Sequence, residues 1–190
     1  MVDYGYEEIE KSLTERFEKQ VVKYGGRVAI RALTRSLSYN ELNALANRVA
    51  RAILQNLGES ERGVCAFLVE HSEAQEIAVL GILKAGQTFV PLDTGLPPEA
   101  MGEILEDSRA SVIVTNDENL RLAEGLAGSR REIVNTDRLG AGFSEDNLHL
   151  SISPDQPACL YYSSGSTGKP KGAMSNHRTL LHFIKCISDL

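Results

Sequence analysis

Apolar residues recur at helical spacing in two segments near the start of the chain. The first segment predicts a helix over residues 7–24, with apolar positions at Ile9, Leu13, Phe17, Val21 and Val22 and with Gly25 and Gly26 ending it. The second begins at Ser38, whose spacing from Glu41 is that of a capping box. Behind this box one helical face carries Leu42, Leu45, Ala46, Val49, Ile53 and Leu57. Gly58 follows and offers a left-handed end, so we predict a second amphipathic helix over this segment.

Short apolar runs alternate with helical segments along the rest of the chain. Residues 64–69 are continuously apolar, which is typical of a strand that is buried on both faces of a parallel sheet. The other predicted strands are residues 28–33, 88–90, 111–115, 132–134 and 158–162, and the other predicted helices are residues 72–85, 97–108, 118–126 and a last one from residue 176. Residues 136–157 have no period and predict a loop. This alternation predicts an α/β fold, with a largely parallel sheet flanked by helices.

The composition is that of a globular protein, and the net charge argues against some classes of binding partner. The chain has 190 residues, of which 42% are hydrophobic, so one domain is expected. Its formal net charge of −6 argues against broad attraction to nucleic acid or to an acidic membrane surface, so an anion site would have to be local. Because the sequence shows no membrane-spanning run and no signal peptide, we expect a cytoplasmic protein.

The three cysteines are far apart and embedded in apolar sequence. Cys65, Cys159 and Cys186 form no Cys-x-x-Cys pair and lie near no cluster of histidines. We therefore expect three buried, reduced thiols and no metal site.

Residues 163–172 have a composition that points to anion binding. Three glycines allow the backbone to approach a ligand closely, four hydroxyls supply hydrogen-bond donors, and Lys169 and Lys171 supply positive charge. The stretch directly follows a predicted buried strand, as nucleotide-phosphate sites do. It therefore predicts a site for phosphate groups.

The spacing excludes several other phosphate-binding and catalytic motifs. A Walker loop has four residues between its glycines and a serine or threonine after the lysine, but only two residues separate Gly165 from Gly168 and Pro170 follows Lys169. The dinucleotide fingerprint and the Gly-x-Ser-x-Gly elbow of hydrolases are not present either. A flexible Gly/Ser linker remains the structural alternative.

The segment from Tyr162 to Gly172 resembles the signature of the adenylate-forming superfamily. That superfamily holds nonribosomal peptide synthetase adenylation domains, acyl-CoA synthetases and luciferases. The resemblance continues downstream at Met174, His177 and Arg178, and upstream at residues 37–42, 83–86 and 89–93, so it covers nearly the whole chain. Departures are small: Ser163, Ala173 and Thr179 stand where threonine, valine and, in many peptide synthetases, glycine are usual.

The resemblance implies that residues 1–190 form an incomplete, N-terminal portion of an AMP-binding adenylation domain. In the family reaction a substrate carboxylate attacks the α-phosphate of ATP, normally with Mg²⁺, and the acyl-adenylate passes to a phosphopantetheine thiol. The implied partners are an amino acid or other small carboxylate and, in the full system, a carrier protein. The implied contacts to the β- and γ-phosphates are Ser163, Ser164, Gly165, Ser166, Thr167, Gly168, Lys169, Lys171 and Gly172.

By the same resemblance the motifs for adenine, ribose, Mg²⁺ and the catalytic lysine are missing from this chain, whose catalytic residues are therefore unknown. The apolar, helical end of the sequence suggests a cut inside or just after a helix. We expect the isolated chain to form no acyl-adenylate. The alternatives are a fragment of an acyl-CoA ligase, or a non-catalytic module that binds a nucleotide or docks a partner.

Other polar residues are assigned structural roles. His71, His149 and His182 are predicted to be exposed or capping, and His177 to brace the loop rather than to transfer protons. Asp93 is predicted to lie in a turn.

Overall fold

The computed structural model describes residues 6–32, 35–58, 62–70, 72–140, 142–164 and 170–188. Its helices are α1 (Leu13–Tyr24), α2 (Tyr39–Leu57), α3 (Glu73–Lys84), α4 (Pro98–Ser108), α5 (Leu120–Ala127) and α6 (His177–Ser188), with short 3₁₀ helices at Tyr6–Glu10 and Thr136–Arg138. Its strands are β1 (Val28–Arg31), β2 (Ser36–Ser38), β3 (Val64–Leu68), β4 (Thr88–Pro91), β5 (Val112–Thr115), β6 (Glu132–Asn135), β7 (Pro157–Ser164) and β8 (Pro170–Asn176). No helix in these ranges is long and apolar enough to cross a membrane.

The main sheet has six strands in the order β6-β5-β3-β4-β7-β8. Every neighbouring pair from β6 to β7 is parallel, and only β8 runs antiparallel, against β7. A separate two-stranded sheet pairs β1 with β2. The predicted α/β fold with a largely parallel sheet is therefore confirmed.

Both faces of the sheet are covered, which explains the uninterrupted apolar run in β3. Cys65 and Phe67 point into one core, which also contains residues of α2 and α3, whereas Ala66 and Leu68 point into a second core with residues of α4 and α5. Successive residues of a strand face opposite sides, so a strand in the middle of such a sandwich must be apolar at every position.

Helices α2 and α3 approach each other closely at Gly81. A Cβ added there would lie 2.5 Å from Cγ1 of Val49 and 3.2 Å from the carbonyl oxygen of Ala46. The missing side chain therefore sets the distance between the two helices.

The predicted single helix over residues 7–24 is wrong, because Ser12 interrupts it. Its Oγ accepts a hydrogen bond from the backbone N–H of Glu15 and starts α1, so residues 6–10 form a separate 3₁₀ turn. The capping box of α2 is confirmed, since Ser38 and Glu41 bond reciprocally. Gly58 ends α2 with a φ of 85°, positive as predicted, but its ψ of 150° gives an extended exit rather than a left-handed turn.

The loop predicted over residues 136–157 is confirmed for the described residues between 139 and 156, which contain no helix or strand, but Thr136–Arg138 form a 3₁₀ helix and Pro157 starts β7. Part of this loop is attached to α2. Asn47 Nδ2 donates to the backbone oxygen of Glu145 and to Asn147 Oδ1, and Arg51 donates to the backbone oxygens of Ser144 and Asp146. The segment is irregular because its hydrogen bonds go to side chains of a helix rather than to a neighbouring strand.

Candidate functional site

A crevice opens at the carboxyl ends of β3, β4 and β7. The connection after β3 runs through α3 on one face of the sheet, and the connection after β4 runs through α4 on the other, as their separate cores show. Neighbouring strands whose connections leave to opposite faces create a gap at their carboxyl ends, where open α/β sheets bind ligands. Here the gap is a cavity of about 790 Å³.

The described walls of the crevice combine apolar and acidic side chains. Apolar lining comes from residues such as Phe67, Phe89 and Leu92. The charged residues of the lining are Glu70, Glu76, Asp93 and Glu103, and none of the described lining residues is a lysine or arginine. The described lining itself therefore offers no positive charge to an anion.

Glu70 is held as a carboxylate at the end of β3. Burial opposes its ionisation, but two side-chain amides donate hydrogen bonds to it and lower its pKa. Asn119 donates to Oε1 of Glu70, and Asn116 donates to Oε2 of Glu70 at 3.0 Å. Glu76, on α3, has no such donors described, and burial raises its pKa. Sequence reasoning missed both residues; the only signal for Glu70 was its position directly after a predicted buried strand, and Glu76 within α3 had no such signal.

The structure places the predicted phosphate-binding residues in two different settings. Ser163 lines the crevice, and Ser164 ends β7. The prediction for residues 165–169, which include Lys169, lies outside the described residues. Lys171 and Gly172 belong to β8, where they pair with Ser163 and Tyr162.

The prediction of one loop over residues 163–172 is therefore wrong at both ends, because β7 and β8 form a hairpin. The strand β8 was missed since it lies at the edge of the sheet and most of its residues are exposed, so it lacks the apolar pattern of the inner strands. Pro170 at its first position also disguises it, although proline is tolerated there. The hairpin brings Lys171, which is exposed, opposite the crevice residue Ser163.

His177 lies at the start of α6 and is fully buried. Its Nδ1 accepts a hydrogen bond from the backbone N–H of Leu13 (3.2 Å), so the neutral ring carries its proton on Nε2, which has no partner among the described residues. Burial lowers the pKa of His177 to about 4. His177 therefore has a structural role, as predicted, but it connects α6 with α1 and no described contact joins it to the loop that it was predicted to brace.

The remaining predictions about single residues have mixed outcomes. Cys65 and Cys159 are buried, and burial raises the pKa of Cys65 to about 12 and also raises that of Cys159. The prediction for Cys186 is wrong: it is exposed, with its Sγ 3.7 Å from Nδ1 of His182, because it lies on the outer side of α6. Asp93 caps a turn through a bond from the N–H of Gly95 to Oδ1, as predicted, although it also lines the crevice.

Comparison with known proteins matches residues 17–189 to the model of the family described as AMP-binding enzyme. Two relatives from Brevibacillus parabrevis are each 36% identical: tyrocidine synthase 3 over 182 residues (95% of this chain) and tyrocidine synthase 1 over 173 residues (91%). The chain spans only 3% and 16% of the lengths of these relatives.

Solved structures agree with this match. The nonribosomal peptide synthetase FmoA3, bound to α-methyl-L-serine-AMP, superposes with a TM-score of 0.82 at 27% identity, over 93% of this chain and 19% of that one. The N-terminal subdomain of Klebsiella oxytoca NpsA gives a TM-score of 0.75 at 26% identity, over 90% of this chain and 43% of that one. The family model covers most of the chain and the fold superposes on that of a solved peptide synthetase, so this chain belongs to the AMP-binding enzyme family.

Proposed function

We propose that this chain supplies the triphosphate-binding hairpin of an ATP-dependent, carboxylate-activating enzyme of the nonribosomal peptide synthetase type. The observation that carries the proposal is the position of the β7–β8 hairpin: the Ser/Gly/Lys-rich segment joins two strands beside the crevice at the carboxyl edge of the sheet. Membership of the AMP-binding family supports ATP as the nucleotide.

The charge distribution supports this placement of phosphate. A triphosphate repels the carboxylates that line the described crevice, so it is held only where lysines and backbone N–H groups outweigh them. Lys171, which is exposed on β8, pairs with Ser163 of the crevice lining and can offer one such charge there. The β- and γ-phosphates therefore belong at the hairpin, with the hydroxyls of residues 163–167 as donors.

The proposed reaction is displacement at the α-phosphate. A carboxylate oxygen of the substrate forms the new bond to phosphorus, the bond to the bridging oxygen breaks, and pyrophosphate leaves with the electron pair. The hairpin would hold the departing β- and γ-phosphates in line and balance their charge. An amino acid or another small carboxylate is the proposed substrate, and the thiol of a carrier protein the proposed acceptor.

Mg²⁺ enters this proposal through the family resemblance alone. The described residues contain no group of three or more histidines, cysteines, aspartates and glutamates placed to hold a metal ion. A cytoplasmic location also stays a prediction.

The identity of the relatives favours peptide synthetases over acyl-CoA ligases. The two tyrocidine synthases are 36% identical over most of this chain, whereas the anthranilate CoA ligase AuaEII, at 24% identity and a TM-score of 0.79, shows only a shared fold. A fragment of an acyl-CoA ligase and a non-catalytic docking module remain the alternative proposals.

Calorimetric titration of the 190-residue chain with ATP and with AMP tests the hairpin assignment. We expect weak ATP binding that Lys169→Ala and Lys171→Ala each reduce, while AMP binding does not change, because only ATP carries β- and γ-phosphates. Lys23→Ala is the matched control, since it removes one positive charge from the end of α1 and should leave ATP binding intact. ATP binding that both hairpin variants leave unchanged would contradict the assignment.

An exchange assay between ATP and pyrophosphate tests whether the chain is active alone. We expect no carboxylate-dependent turnover above the Lys169→Ala variant, since the described crevice offers no cation to the α-phosphate. Turnover that the variant abolishes would show that the chain is catalytically complete.

A further inference from the structure

Tyr162, which precedes Ser163 at the end of β7, is hydrogen-bonded to helix α4. The hydroxyl of Tyr162 donates to Oδ2 of Asp107 on α4, with an oxygen–oxygen distance of 2.6 Å. Helix α4 is itself fixed by the buried residues Met101, Ile104 and Leu105. The hydrogen bond therefore connects the end of β7 to a rigid part of the core.

The ring of the same tyrosine packs on the opposing strand. Tyr162 pairs directly with Gly172, and a Cβ added at Gly172 would lie 3.1 Å from Cζ of that ring and 3.0 Å from Cδ1 of Leu160. An aromatic ring that covers a glycine across an antiparallel pair compensates for the missing side chain of an edge strand. Gly172 thus has a packing role, and its contact to phosphate stays a prediction.

The edge position of β8 makes this contact important. On its outer side β8 has no neighbouring strand among the described residues, and its residues from Lys171 to Met174 are exposed. Asp107 and Pro170 also line a common concavity of about 620 Å³ between α4 and the start of β8. Helix α4 therefore flanks the place where the chain enters β8.

We infer that Asp107 and Tyr162 are positioning residues that fix the β7–β8 hairpin against α4 and thereby aim Ser163 and Lys171 at the crevice. The inference rests on the proposed function for its consequence, triphosphate binding, but its structural part does not. Each of the two aimed residues is adjacent in sequence to a partner in the contact, since Tyr162 precedes Ser163 and Gly172 follows Lys171. A shift of the tyrosine thus moves both.

The chemistry of the pair suits a permanent contact. Burial, and then the bond to Asp107, raise the pKa of Tyr162, so the phenol keeps its proton and remains a donor at neutral pH. The carboxylate lies in the last turn of α4, where the helix dipole disfavours negative charge. Asp107→Ala should therefore not weaken the helix, and a loosened hairpin in that variant would report the lost bond.

Amide hydrogen exchange of the nucleotide-free chain tests the structural part. We expect Tyr162→Phe and Asp107→Ala each to speed exchange in residues 157–164 and 170–176 about fivefold, the factor for roughly 1 kcal/mol. The double variant should match the single ones, because they remove the same bond. Asp107→Asn, which keeps an acceptor oxygen, should restore part of the protection. Tyr161→Phe is the matched control, since its ring packs on Phe89 and the change removes no described hydrogen bond.

ATP titration of the same variants tests the consequence. We expect Tyr162→Phe to raise the Kd of ATP by a similar factor and to leave that of AMP unchanged. If hairpin exchange does not respond to either single variant, the inference is refuted whatever ATP does. If exchange responds but ATP binding does not, the pair does not position the phosphate-binding groups. If the unaltered chain binds no ATP, the proposed function fails, while the exchange data still decide the structural part of the inference.

Discussion

Because His177 is buried and neutral, the stability of this protein should decrease as the pH falls through a defined window. Its pKa is about 4 in the folded chain, against an ordinary value of 6.5 for histidine. Between these values the unfolded chain binds a proton that the folded chain excludes, so the free energy of unfolding decreases as the pH falls through the window. The full difference is worth roughly 3 kcal/mol, of which about 2 kcal/mol is lost between about pH 7.5 and about pH 5.

Urea unfolding at several pH values, followed by circular dichroism, measures this loss. The key variant is His177→Asn, whose side-chain oxygen replaces Nδ1 as acceptor for the N–H of Leu13 but does not titrate. We expect this variant to lower the free energy of unfolding by an amount that is constant with pH. It should also remove most of the slope of that free energy against pH. The control is His182→Asn, which removes an exposed histidine from the same helix and should leave the slope of the unaltered chain.

The comparison between variants also separates His177 from the carboxylates. Glu70 and Asp155 have pKa values below their ordinary range, so their contribution is lost only at more acidic pH, and it is common to all three proteins. Equal slopes for the unaltered chain and His177→Asn above about pH 5 would show that the histidine is not held neutral, which refutes the reasoning.

Three further changes test the packing around the sheet by urea unfolding. Lys84→Met should cost about 2 kcal/mol or more, because it leaves Glu18 without the buried ammonium that pairs with it; an unchanged midpoint would mean that the pair contributes nothing. Gly81→Ala should cost roughly 1–3 kcal/mol, since its methyl group meets Val49, and a stabilised protein would show that α2 and α3 separate freely. Ser38→Ala should cost about 1 kcal/mol by removing the cap of α2, and no loss would mean that water replaces the hydroxyl.

The parts of the fold that sequence patterns predicted well are those in which local and tertiary preferences agree. The run from Val64 to Val69 is apolar at every position because β3 is covered on both faces, and the structure confirms that strand. The capping box at Ser38 is a local hydrogen-bond pattern and was predicted to the residue. The break at Ser12 was missed because the apolar spacing continues across it.

The candidate site also has parts that the sequence predicted and parts that only the structure showed. Its anion-binding composition at residues 163–172 is visible in the sequence, and so is the resemblance to the AMP-binding family. The acidic walls of the crevice come from separate elements, such as Glu70 after β3 and Glu103 on α4, and no spacing rule joins them. The antiparallel pairing of β7 with β8 was also missed, because the edge strand is neither apolar nor alternating.

The sequence by itself therefore determined the α/β class, the buried strands and the chemistry of one segment, since each depends on residues that are close together along the chain. Only the tertiary structure decided which residues meet: Tyr162 with Asp107, His177 with Leu13, and Lys84 with Glu18. These pairs are 55, 164 and 66 residues apart, and their contacts follow from strand order and helix packing rather than from local preference.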